Sequence, residues 1–226
     1  MLQRKLIFVE GIIGSGKSMT ARFLTERLLH QQIAAQFVRD GGQGHPVRVS
    51  GSLQHPFQVW RDLKVEQFIT RSLRKWRDFV RMARQSDSVT VCDGQLVHGN
   101  MTDLLLMNAD PLVLHTYVDQ VVDILHDLAP VLIYLYQADI GQALRMVCDA
   151  RGLEWEAYQV NWKMPSPYGT QRGLAGFAGL VHLYQDYRAI SDEIVVALSI
   201  PTLSIDNTAG SWPAYYQDML VFLEMT

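Results

Sequence analysis

Apolar residues recur along this chain in two rhythms. Uninterrupted runs, LIFVE at 6–10 and PVLIYLY at 130–136, leave no polar face, the pattern of strands buried on both sides of a parallel sheet. AAQFVRD (34–40), SVTVCDG (88–94) and PTLSID (201–206) are runs of β-formers bounded by Gly, Pro, Ser or Asp, and predict three more strands. Between them the spacing is helical. Phe23, Leu24 and Leu28 predict a helix over 18–31, and Trp60, Leu63, Phe68, Leu73, Trp76, Phe79 and Val80 a long one over 57–85. Further helices are predicted at 101–109, 112–128, 139–150 and 177–197, and WPAYYQDMLVFLEM closes the chain as another. GGQGHPVRVSGSLQHP and the Gly/Pro/Tyr-rich stretch at 152–173 read as loops, the second as a lid.

Five strands separated by helices imply an α/β fold with a parallel sheet and right-handed crossovers, in one domain spanning 1–226. Ligands on such sheets bind at the carboxyl ends of the strands. That rule selects the loops 10–18, 40–56, 93–100, 137–151 and 206–211.

The first of these loops is the most informative. In FVEGIIGSGKSMTARFL (8–24), Gly11, Gly16, Lys17 and Ser18 fit G-x-x-x-x-G-K-[ST] between a strand and a helix. Backbone N–H groups converge on phosphate oxygens only where no Cβ intervenes, which explains Gly11, Gly14 and Gly16. The helix N-terminus adds unpaired N–H groups and the positive end of its dipole. The pattern points to ATP and Mg²⁺ as cofactors. Lys17 would reach the β- and γ-phosphates, and Ser18 would bind the metal. Gly11, Ile13, Gly14, Ser15, Gly16, Lys17, Ser18 and Met19 are the candidate nucleotide contacts.

Two carboxylates end strands. Asp93, after VTVC, is a candidate metal ligand or catalytic group, with a turn cap as its alternative. Asp40, after AAQFVR, could orient a substrate hydroxyl or cap the glycine-rich turn. Glu10 reads as structural or water-binding. An acceptor would lie between the 40–56 loop, the long helix and the Asp93 loop, near Trp60, Arg61, Gln67, Gln95, His98 and Asn100, with core packing the alternative for Trp60, a solvent-facing place for Arg61 and a surface or hydrogen-bonded one for His98. Trp155, Tyr158, Trp162 and Tyr168 make the lid aromatic, either as a cover or as a packed contact surface.

Composition narrows the partners. A hydrophobic content of 48% supplies an ample core, and a net charge of −3 argues against general nucleic-acid or membrane-surface binding. The cationic side of the long helix carries no interleaved aromatics and reads as a solvated face. Cys92 and Cys148 sit in apolar patterns, as reduced core thiols of a cytoplasmic protein do. No signal peptide, membrane span or metal-ligand spacing of histidines is expected.

The chain resembles the thymidylate kinase and deoxynucleoside kinase group of P-loop kinases. The likeness rests on FVEGIIGSGKSMTARFL, on VCDG, and on YLYQADIGQALRMVCDARGLEWE, which is similar to the fourth strand, helix and lid of those enzymes. The resemblance implies a three-layer P-loop NTPase fold with strand order 2-3-1-4-5, helices on both faces and a small lid. It implies transfer of the ATP γ-phosphoryl group to a small-molecule acceptor, a nucleoside or nucleotide before an antibiotic or a sugar. A nucleotide-binding switch with little turnover is the non-enzymatic alternative. Arg145 and Arg151 fall at lid-arginine positions and Glu154 near the acidic end. IDNTAGSW makes Asn207 and Thr208 candidate base contacts, and the resemblance allows a homodimer. The chain departs from the pattern at Gly94 and Gln95, where an arginine usually follows the carboxylate, and at Asp149, in place of a further lid arginine. Asp40 stands where a glutamate is more usual. His45-Pro46 and Ser166–Gly169 (S-P-Y-G) resemble a bacterial branch of such kinases without an assigned substrate.

Overall fold

The computed structural model describes residues 4–41 and 44–225; Gly42 and Gln43 of the glycine-rich stretch lie outside the described residues. Strands β1 (Leu6–Gly11), β3 (Val89–Asp93) and β4 (Pro130–Tyr136) are buried almost throughout, as their apolar runs predict. β2 (Ala35–Val38) and β5 (Thr202–Asp206) are half-buried edges. All pairings are parallel, in the order β2-β3-β1-β4-β5.

Alternation along the central strands divides the core into two layers. Leu6 and Phe8 face a layer built with α2 (Val65–Arg84), α3 (Asn100–Leu106), α4 (Pro111–Leu125), α5 (Ile140–Arg151) and α8 (Gly176–Ala197). Ile7 and Val9 face the opposite layer, with α1 (Lys17–His30) and α9 (Trp212–Phe222). Trp76 is fully buried against Phe8 and donates its indole N–H to Tyr117 Oη at 3.2 Å, so its polar edge is satisfied. The parallel register sets Val9 beside Asp93 and Gly11 beside Leu135, which gathers the strand ends at one edge of the sheet.

Two expected elements differ. The helix predicted at 57–85 begins only at Val65. Residues 59–61 form a separate 3-10 turn, and Asp62 accepts from the Ser52 backbone N–H at 2.7 Å, folding this segment onto the preceding loop. Lys64 is extended, and Gln67 Oε1 caps its N–H at 3.0 Å, so the chain enters the helix afresh. The stretch 152–173, expected as a loop, is largely helical: α6 (Leu153–Lys163) and α7 (Pro167–Gln171). Its Gly and Pro mark helix boundaries. Gly152 adopts φ +88° between α5 and α6, and Ser166 caps α7 with Pro167 at the first position.

Both cysteines are buried and free. Among the described residues, no helix is long and apolar enough to cross a membrane.

Candidate active site

The loop from Gly11 to Gly16 turns out of β1 into α1 with its glycines at positive φ. At Gly16 (φ +89°) an added Cβ would collide with the Trp212 ring, and at Gly14 (φ +81°) with Val147. The loop is therefore held from both sides and cannot admit larger residues. Ser15 N–H bonds Ile12 O at 3.2 Å, and Asn207 donates its amide to Ser15 O at 2.6 Å, tying the loop after β5 to the phosphate loop. Lys17 is buried, and its ammonium donates to Ile12 O at 2.9 Å, inside the curve of the loop. Thr208, exposed next to Asn207, accepts from Ala138 N–H at 2.9 Å and donates its hydroxyl to Asp206 Oδ1. Met19 is exposed on α1.

Ser18 Oγ donates to Asp93 Oδ2 at 2.5 Å. The other oxygen, Oδ1, is buried and has no partner. A carboxylate with one orphaned oxygen beside a serine hydroxyl fits a hard divalent cation. Among the described residues, no cluster of three or more His, Cys, Asp or Glu side chains could hold a metal by protein ligands alone. A Mg²⁺ here would therefore share its coordination with a nucleotide. Burial pushes Asp93 above the usual carboxylate range, with Lys17 and the Ser18 hydroxyl opposing.

Glu10, fully buried at the end of β1, accepts the backbone N–H groups of Gln95 and Leu96 at 2.7 and 2.6 Å. It pins the turn after Asp93, the structural role expected of it. Burial drives its carboxyl up to about 8 against the pull of those N–H groups and Lys17.

Beside the phosphate loop opens a cavity of about 410 Å³, within the roughly 300–1,000 Å³ range of small-molecule sites. Ile13 is its edge toward the loop, Asp40 and His98 line its middle, and Tyr158, Trp162, Lys163 and Tyr184 its far side. Arg48 is clamped between Asp40 Oδ1 at 3.2 Å and Asp103 Oδ2 at 3.1 Å. Burial opposes ionisation of Asp40, yet the Arg48 and Lys17 cations hold it below the usual carboxylate range. Burial and Lys17 push His98 down to about 3, so the ring is neutral near pH 7. His45 shapes the segment carrying Arg48: its Nδ1 accepts the N–H groups of Val47 and Arg48 at 3.1 and 3.0 Å.

The residues expected to meet an acceptor are only partly assembled here. His98 lines the cavity, as do Tyr158 and Trp162 of the lid. Trp60 and Arg61 do not: Trp60 packs on the core from the 3-10 turn and Arg61 points to solvent. Gln67 caps α2. Asn100 is fully buried, donating to Val47 O and Ser72 Oγ at 2.9 Å and accepting Val49 N–H at 3.0 Å. Gln95 lies behind Asp40, its amide on Asp93 O at 3.1 Å. Of the lid arginines, Arg151 lines the cavity over the Trp155 ring, whereas Arg145 is held by Glu156 at 3.0 Å and stacks on Phe177. Tyr168 is buried and bonded to Asp186, away from the cavity. Sequence reasoning missed Arg48, Asp103, Gln159, Lys163 and Tyr184. Asp103 had a legible signal, since it is the lone charge in the apolar helix NMTDLLL and needed a buried partner.

No protein-family model matches the chain, and no curated protein does. Solved structures do. The crystal structure of APE1195 superposes with a TM-score of 0.50 at 13% identity, covering 99% of this chain and 97% of that one. Deoxyadenosine kinase from M. mycoides with bound dATP superposes with a TM-score of 0.50 at 16% identity, covering 98% and 100%. The YorR protein of Bacillus subtilis, in complex with phosphorylated GDP, gives a TM-score of 0.48 at 11% identity, covering 97% and 96%. This chain has the P-loop NTPase fold. Within that fold it resembles the deoxynucleoside kinases. The P-loop architecture accounts for the placement of Gly11 to Ser18 and Asp93 along one edge of the sheet. At such identities the likeness concerns the fold, so the cavity is read from this chain's own side chains.

Proposed function

We propose that this protein is an ATP-dependent kinase that transfers the γ-phosphoryl group to a hydroxyl of a small acceptor of the nucleoside or nucleotide class. The observation that carries the reading is the juxtaposition of the phosphate loop, with its Ser18–Asp93 pair, and a cavity presenting Asp40 beside it. Loop amides and Lys17 hold the β- and γ-phosphates. A divalent cation on Ser18 and Asp93 would neutralise charge on the phosphate oxygens. Asp40 orients the acceptor hydroxyl: it is ionised and faces the cavity, while Asp93 is committed to Ser18. The acceptor oxygen bonds to the γ-phosphorus as the bond to the β,γ-bridging oxygen breaks. That oxygen leaves with its electron pair on ADP, and the acceptor proton passes to Asp40. Arg151, at the cavity wall, supplies planar donors to the transferring group. Arg145 would have to leave Glu156 to join it.

The test is ADP release from Mg·ATP across nucleosides, nucleoside monophosphates, sugars and hydroxylated antibiotics. At least one nucleoside-class acceptor should accelerate release. Acceleration only by a sugar or an antibiotic keeps the kinase and replaces its acceptor. Binding of Mg·ATP with no accelerating acceptor favours a nucleotide-binding switch.

A further inference from the structure

Lys163 ends α6 with its side chain 2% exposed, at the far wall of the cavity. Its ammonium bonds Gln159 Oε1 and lies against the Trp162 ring, 3.7 Å from the centroid. Among the described residues no carboxylate oxygen lies within 4.0 Å of it. An ammonium carries three donors, so two are left for something else. A buried cation without an anion at hydrogen-bond distance is costly, and most such groups in proteins are paired.

The neighbouring charges do not supply that anion. Asp103 and Asp40 act on Lys163 from a distance, but both are already bonded to Arg48, which opposes them. A second group nearby is also unpaired. Thr102, on α3, lines the same cavity at 6% exposure, and its Oγ1 has no partner. Arg39 and Arg151 at the cavity wall form no ion pair among the described residues. Counting Asp103 behind Arg48, the cavity's four cations face two carboxylates, in a chain whose net charge is negative. Burial holds Lys163 down to about 7, a value that an incoming anion would raise.

We infer that the acceptor carries an anionic oxygen group of its own, a phosphate or a carboxylate, and that Lys163 Nζ and Thr102 Oγ1 hold it at the far wall while the accepting hydroxyl faces Asp40. This rests on the kinase reading and narrows it, because a neutral nucleoside leaves the buried ammonium and hydroxyl unanswered. Lys163 and Thr102 are thereby the residues that set acceptor charge.

Calorimetry on the full chain tests this with nucleosides, nucleoside 5′-monophosphates and hydroxycarboxylic acids as probes. Each is titrated with Mg²⁺ and a non-hydrolysable ATP analogue present, so that the phosphate loop is already filled. One anionic set should bind, and which one identifies the group. Neutral nucleosides should bind about tenfold or more weakly. Lys163→Met should lower anion affinity by about ten- to a hundredfold and leave neutral affinity alone. Thr102→Val, which keeps the volume, should act in the same direction and covers the case of a poorly folded Lys163 variant. Equal binding of neutral and anionic probes overturns the inference, as does anion affinity that stays within about twofold in both variants. If the ATP analogue gives no heat, the kinase reading falls. The difference between wild type and Lys163→Met in anion binding still decides the subsite.

Discussion

The phosphate loop and the cavity beside it are built in opposite ways. The loop takes its parts from residues 11–18, and what it offers is mostly backbone, spaced by glycine. The cavity takes side chains from the segment after β2, from α3 and the turn before it, from the end of α5, from α6 and from α8, and what it offers is a mixture of charged and aromatic side chains. The loop's own geometry comes from one strand and one helix, with Val147, Asn207 and Trp212 closing against it. The cavity exists only when five segments have packed and their charges have found one another.

That contrast predicts different failures. Removing Arg48 should break the cavity by breaking the fold. Arg48→Ala leaves Asp103 buried and unpaired, and loss of one partner of a buried pair costs about 3–5 kcal/mol. Denaturant unfolding should show a midpoint lowered with an unchanged slope. A loss below about 1 kcal/mol would mean that Asp103 is neutralised without Arg48.

Lys17 should behave in the opposite manner. Its ammonium bonds Ile12 O. Lys17→Ala should leave unfolding nearly unchanged and lower turnover with the true acceptor by about a hundred- to a thousandfold, the scale of losing one transition-state donor. Wild-type turnover in this variant would remove Lys17 from the chemistry.

A third effect separates the two regions by pH. Glu10, beneath the phosphate loop, is held up to about 8 from an ordinary 4.5. Between these values the folded chain keeps a proton that the unfolded chain releases. Its contribution is therefore complete below the lower value and is lost as pH rises toward the upper one, by at most about 1.4 kcal/mol per pH unit. Glu10→Gln should flatten this part of the profile, read as melting temperature between about pH 5 and about pH 8. A wild type no more pH-sensitive than the variant over this range would mean that Glu10 is ionised in the fold.

The smallest effect is expected at Arg61, which is exposed and outside the cavity. Arg61→Ala should change stability by no more than about 0.5 kcal/mol and leave acceptor kinetics unaltered. A raised KM would bring the 3-10 turn back into the acceptor site.

What was legible follows the same division. The five strands and the phosphate loop depend on neighbours in sequence: periodicity, glycine at positive φ, a helix start. The start of the long helix was misread because a helical period continued back through Trp60 into a segment that Asp62 and Gln67 fold differently. The helices within 152–173 were missed because Gly152 and Pro167, read as loop residues, are the boundaries of α6 and α7.

The chain by itself determined the parallel sheet, the cradle for phosphate and the carboxylate that ends β3, since each follows from local backbone preference and apolar alternation. Only the folded molecule decided which charges share the cavity. Arg48 meets Asp103 across 55 positions of chain, and Lys163 comes to the same cavity from α6. Such long-range electrostatic pairing leaves no periodic trace, because it depends on distances that the packed core alone establishes.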